Sequence, residues 1–218
     1  ELSGSVRYEG AEMIGAPEPR LRAIRGNDIS FVFQEPMTSL NPLHTIERQL
    51  AESLALHQNL TGAAARARIV ELLEKVGIRD AASRLADYPH QLSGGQRQRA
   101  WLALVLAQQT PVVLLDEPTS YLDLSHQVEV LDLVRTLPDP RGEGRATVVA
   151  VLHELNLAAR SADHIVAMAA GRVVAQGTPG EVIVPEVLAE VFGLDADVVA
   201  DPLLGHPVVL PRGDGDRR

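Results

Sequence analysis

The 218 residues are 45% hydrophobic and 22% charged, which is enough to bury one core together with a sizeable subdomain. A formal net charge of -9 argues against broad attraction to DNA or RNA, because neutralising phosphates takes clustered Lys and Arg. The absence of cysteine excludes disulfides and thiolate metal sites, and the longest clean apolar stretch, Ala100 to Ala107, is far short of the roughly 18 residues of a membrane-spanning helix.

In chain order, Leu2 to Tyr8 alternates loosely and ends at Gly10, as a short strand and turn do; nothing in Glu1 to Gly10 has the basic and then apolar pattern of a secretory signal. Ile29 to Phe33 is a compact apolar strand that stops at Gln34. Apolar residues recur at three and four from Thr45 to Leu56 and from Thr61 to Val76, predicting two amphipathic helices, the second started by Thr61 and ended by Gly77. Gln96 to Gln109 is a third helix, stopped before Pro111. Val112 to Leu115, Thr147 to Leu152 and His164 to Met168 read as strands buried on both faces, alternating with helices over Leu124 to Leu137 and Leu155 to Ser161. That order predicts a parallel α/β sheet. Val198 to Ala200 and Val208 to Leu210 flank Gly205-His206-Pro207 as a hairpin, and Arg212 to Arg218 has the composition of a disordered tail.

Three of these strands end in polar side chains: Gln34, then Asp116 with Glu117, then His153. In open parallel sheets the carboxyl ends of the strands form the ligand crevice, so an amide, two carboxylates and an imidazole are expected at one edge. Asp116, after four apolar residues, is suited to hold Mg²⁺ as a hard oxygen ligand, and Glu117 to orient or deprotonate an attacking water. Ser93, Gly94 and Gly95 open the helix beginning at Gln96, where backbone N-H groups and the helix dipole favour a polyphosphate. The other histidines read as structural, and Glu154 completes no His-Glu-x-x-His zinc motif.

Leu92-Ser93-Gly94-Gly95-Gln96, the stretch Asp116-Glu117-Pro118-Thr119-Ser120-Tyr121-Leu122-Asp123, Gln34 and His153 together resemble the nucleotide-binding subunits of ABC transporters. The resemblance implies a P-loop NTPase (RecA-like) α/β core with an inserted helical subdomain, binding ATP and Mg²⁺. It divides the chain into residues 1-35, the remnant of the N-terminal core; 36-110, the helical subdomain with the signature motif; 111-180, the core with the Mg²⁺ and water-activating acids; and 181-218, a C-terminal extension. By the same resemblance Gln34 senses Mg²⁺ and water, Glu117 and His153 are catalytic, Asp116 holds the metal, and Asp123 lies at a dimer interface. Ser93, Gly94, Gly95 and Gln96 contact ATP held by a second subunit, identical or not. The partners implied are that subunit, transmembrane permeases and a periplasmic or lipoprotein solute-binding protein, with no nucleic acid, at the cytoplasmic face of the cell membrane.

Two departures stand out. The only lysine is Lys75, so no Gly-x-x-x-x-Gly-Lys-Ser/Thr phosphate loop can be written from these residues. The expectation is an N-terminally truncated ATPase whose cradle lies before Glu1, with negligible hydrolysis by these residues alone. Secondly, Phe33 to Pro42 and Tyr88 to Gln91 resemble oligopeptide and nickel importers, whereas Trp101 to Leu104, Asp123 to Gln127 and Leu152 to Arg160 resemble ferric-siderophore importers. A natural hybrid and a faulty assembly both produce that pattern. A soluble non-transport ABC ATPase and a non-catalytic truncated subunit are the alternatives; the interval between Gln34 and Leu92 leaves no room for the long coiled coil of chromosome-maintenance ATPases.

Overall fold

A computed structural model describes residues 4-32, 40-120, 122-142 and 144-213. The chain divides into two compact units, Glu1–Val151 and Leu152–Arg218.

The first unit opens with β1 (Arg7–Tyr8) and β2 (Ala11–Glu12), an antiparallel pair turned at Glu9 and Gly10, both at positive φ. The strand read over Leu2 to Tyr8 is thus far shorter. Helix α1 (Glu18–Ile24) follows, with Pro at its first turn; none of its residues is buried, so it has no apolar stripe to betray it in the sequence. Then come β3 (Ile29–Val32), α2 (Ile46–Gln58) and α3 (Gly62–Lys75). Thr45 caps α2, accepting from the Arg48 N-H at 3.3 Å, and Asn59 ends it in the left-handed conformation. Ile46, Leu50 and Leu54 form its buried stripe, Ala65, Ile69, Leu72 and Leu73 that of α3, and both helices pack on α5.

After the short α4 (Ala81–Arg84) and a 3₁₀ turn over Pro89–Gln91, α5 runs over Gly94–Gln108. It starts two residues before the expected Gln96 because Ser93 is its cap: the Gln96 N-H donates to Ser93 Oγ at 3.3 Å, and the Ser93 N-H donates to Gln96 Oε1 at 3.0 Å. From Ala100 to Ala107 this helix buries residues nearly all round, as a central helix must.

The strands β3, β4 (Val112–Asp116) and β5 (Thr147–Val151) make a parallel sheet with β4 in the middle and α6 (Leu124–Arg135) between β4 and β5. In register, Phe31 stands beside Leu114 and Val149, and Asp116 beside Val151. One face carries buried Ser30, Val113 and Leu115. On the other, Phe31, Val149 and Val151 are 49%, 55% and 51% exposed. The expectation that Thr147 to Leu152 is buried on both faces is therefore corrected: β5 alternates, as an edge strand with one covered face does. The expected parallel, buried strand over His164 to Met168 is corrected as well.

In the second unit α7 (Leu155–Ser161) precedes β6 (Ile165–Ala169), which pairs antiparallel with β7 (Arg172–Gly177). Ala170 and Gly171, both at positive φ, form a two-residue turn whose twist suits a hairpin. Helices α8 (Pro179–Val182) and α9 (Pro185–Phe192) lead to β8 (Ala196–Ala200) and β9 (Pro207–Pro211), the hairpin expected around Gly205-His206-Pro207. Ala159, Ile183, Leu188, Ala196 and Val209 form the core here. Asn156 adds a rung to β9: the Val209 N-H donates to its Oδ1 at 2.7 Å and its Nδ2 donates to the Val209 carbonyl at 3.3 Å. At the expected tail, Arg212 pairs with Asp195 and Asp197, and residues 214-218 lie outside those described.

Candidate functional site

β4 carries four apolar residues that alternate between sheet faces and delivers Asp116, half-buried, at its carboxyl end. The next residue, Glu117, sits at φ +49, in the left-handed region. That conformation costs a side-chain-bearing residue roughly 1–2 kcal/mol, and such outliers concentrate at functional sites. Pro118 follows and disfavours the ordinary helical conformer for the residue before it. The Glu117 carboxylate is held from its own turn, with Ser120 Oγ donating to Oε2 at 2.9 Å and the Ser120 N-H donating to the Glu117 carbonyl at 3.2 Å.

The segment after Glu117 is tied to both flanking helices. From α5, Gln98 donates its side-chain amide to the Pro118 carbonyl. From α6, Gln127 Nε2 donates to the carbonyls of Thr119 at 3.3 Å and Leu122 at 3.1 Å. A Cβ added at Gly95 would stand 3.4 Å from Leu122 Cδ2, so the glycine start of α5 lies directly against this loop. Asp123 ends the loop as the cap of α6, accepting from the His126 N-H at 3.0 Å and from Ser125 Oγ at 2.9 Å, and its Oδ1 is 2.7 Å from His126 Nδ1.

The structure therefore brings Ser93, Gly94, Gly95, Gln96, Asp116, Glu117 and Asp123 into one unit, linked through α5, the loop and α6. Gly94 and Gly95 supply first-turn N-H groups that have no intrahelical carbonyl to bond. His153 is exposed and stands two residues beyond the end of β5, at the opening of the second unit. Gln34 lies outside the described residues. No group of three or more His, Cys, Asp or Glu that could hold a metal occurs among the described residues. Asp116 presents a hard carboxylate at the strand end. That suits Mg²⁺, which keeps waters and substrate phosphates as its other ligands. A groove of about 540 Å³ between α2 and α3, edged by Glu47 and Arg66 at 3.1 Å, involves none of the predicted site residues.

Gln98, Ser120 and Gln127 were not predicted. The letters carried no signal for Gln98, which sits in the polar run Gln96-Arg97-Gln98-Arg99 and is buried only by the fold, where a buried amide needs a partner.

A parallel α/β sheet with a carboxylate pair at the end of its middle strand, and a glycine-started helix packed on the loop that follows, has the layout of a nucleotide-binding domain. The family model described as ABC transporter matches residues 1–120, and the chain belongs to that family. It is similar to the peptidoglycan transport ATP-binding protein YejF of Agrobacterium fabrum, 48% identical over 180 residues, which are 83% of this chain and 32% of that protein. A putative peptide import ATP-binding protein of Brucella abortus is 44% identical over 176 residues, covering 81% of this chain and 52% of that one. The chain thus spans about a third to a half of the length of these relatives. Among solved structures, a dimeric ATP-binding cassette in a post-hydrolysis state, bound to ADP and Pi, superposes with a TM-score of 0.70 at 30% identity, over 81% of this chain and 73% of the other.

Proposed function

We propose that these residues belong to the ATP-hydrolysing subunit of an ABC importer for peptides. Glu117 activates the attacking water, Asp116 and Gln34 hold Mg²⁺, and His153 contacts the γ-phosphate. Ser93, Gly94, Gly95 and Gln96 close over ATP bound by a second subunit, with Asp123 at that interface. Residues 36-110 act as the helical subdomain that meets the permeases and residues 111-180 as the catalytic core. The assembly works at the cytoplasmic face of the membrane, with transmembrane permeases and a solute-binding protein.

The observation that carries this reading is the loop from Asp116 to Asp123, clamped between α5 and α6 with Glu117 in a left-handed backbone. The peptide class is supported by the names of the relatives. An alignment of 176 residues must run well past Ala100, into the stretches that resemble siderophore importers, which favours the peptide class over ferric siderophores for the whole chain. With Lys75 the only lysine, the phosphate loop comes from outside these 218 residues.

Two measurements test it. The 218 residues alone are expected to hydrolyse ATP negligibly, whereas the ATPase that joins them to a phosphate loop turns over and loses about 10²- to 10⁴-fold on Glu117→Gln. Equal turnover with and without the loop, or an indifferent Glu117→Gln, sinks the assignment. Uptake of labelled peptide against labelled ferric siderophore by the reconstituted transporter decides the substrate class.

A further inference from the structure

We infer that Gln98 is a positioning residue that links the nucleotide-closing end of α5 to Glu117. The inference rests on the proposed roles of Glu117 and of the start of α5.

Gln98 is 4% exposed and donates its amide to the Pro118 carbonyl, across 20 residues of sequence. A carbonyl only accepts, so the amide nitrogen must face it and Oε1 must point elsewhere. Oε1 is buried and has no hydrogen-bond partner among the described residues. A leucine would fill the same space without stranding an acceptor, so packing alone does not explain a glutamine here.

What the amide does is hold the first residue of the loop after Glu117. Pro118 has no N-H of its own, which leaves its carbonyl as the one backbone group by which the residue after Glu117 can be held. Gln127 secures the far side of the loop at Thr119 and Leu122, and Gln98 secures the near side. Between them the left-handed backbone of Glu117 is over-determined, as a strained catalytic residue must be to persist.

The other end of the connection is the helix itself. Ser93 caps α5 and Gln98 lies on its second turn, about 7 Å along the axis, within one hydrogen-bonded segment. A displacement of the Ser93-Gly94-Gly95 end on closing over the partner's ATP is carried along that rigid turn to Pro118. Each subunit's signature helix thereby reports on the nucleotide it covers to the carboxylate that acts on the nucleotide its own subunit holds.

The test uses the ATPase that joins these residues to a phosphate loop. Gln98→Leu is expected to lower kcat by about 10- to 100-fold, the size of effect that a small misplacement of a reacting group produces. KM for ATP should move less than threefold, and ATP-driven dimerisation should persist. Combined with Glu117→Gln, Gln98→Leu should add no further slowing, because the group it positions is already gone. Gln98→Met, closer in shape and flexibility, serves as a second variant if the first does not fold. An unchanged kcat, a loss expressed only in KM, or an equal further slowing of Glu117→Gln overturns the inference. If Glu117→Gln itself hydrolyses normally, the assignment of Glu117 falls and this inference with it. A dead Glu117→Gln beside an indifferent Gln98→Leu sinks this inference alone.

Discussion

Two helix starts in this chain use the same sequence device with different chemistry. At α5 the Ser93 N-H donates to the neutral side chain of Gln96, and the helix opens with two glycines. At α8 the Thr178 N-H and hydroxyl both donate to the carboxylate of Glu181, at 2.8 and 2.9 Å, and the first helical residue is Pro179. Those bonds from Thr178 hold the Glu181 carboxyl below the usual carboxylate range. The start of α8 thus carries its own anion and has one donor fewer, while the start of α5 has a neutral cap and the donors of Gly94 and Gly95 to offer. One cap serves stability, and the other is left electrically open, as the proposed contact with a polyphosphate requires.

Exchanging the two chemistries breaks that contrast where the effect is largest. Gln96→Glu gives α5 the anion of α8: the capping box survives, and a carboxylate in the first turn favours the isolated helix. The same charge opposes polyphosphate, so ATP-driven dimerisation should weaken about 10- to 30-fold, read by size-exclusion chromatography in the Glu117→Gln background, while Tm holds or rises. Unchanged dimerisation would show that the start of α5 is not an anion site.

Gly94→Ala sharpens the comparison by separating stability from function. A Cβ there meets nothing within 4 Å, and Gly94 is not at positive φ, so alanine should stabilise the fold by about 0.4–1 kcal/mol, chiefly through the unfolded chain. Hydrolysis should nonetheless fall, because the same methyl stands where backbone must approach phosphate. A variant both more stable and fully active would contradict close approach at residue 94.

The smallest effect is at α8. Glu181→Gln should lower Tm slightly near neutrality, since the folded state depresses the Glu181 pKa. A depressed carboxylate stabilises above its unfolded pKa, and that contribution is lost as pH falls through the folded value. The Tm difference between wild type and Glu181→Gln should therefore be full at pH 7 and vanish in acid; a difference that grows on acidification would reverse the sign.

Legibility in the sequence followed packing. β4 and the long helices α2, α3 and α5 were readable because each has a continuous apolar run or stripe that ends in a recognisable cap. The capping box of Ser93 and Gln96 was also in the letters, yet the expected helix began at Gln96 because two glycines look like a loop when their neighbours are ignored. α1 escaped notice for want of a buried face, and α8 for being four residues long. β5 and β6 misled in the other direction: their apolar runs look like strands covered twice, and burial on both faces is a property of neighbours, not of composition. At the site, the carboxylates and glycines were legible as motifs. The amides of Gln98 and Gln127 were not, because their partners are carbonyls of a loop whose course only the fold reveals.

The backbone of Glu117 has a consequence for anyone breeding this chain for heat resistance. Glycine and asparagine tolerate its φ far better than glutamate does, so a library scored only on survival at high temperature would drift toward those two letters at position 117. Under the role proposed for Glu117 the winners would be robust and inert, their carboxylate exchanged for a relaxed backbone, and a selection that keeps both traits has to score turnover alongside melting.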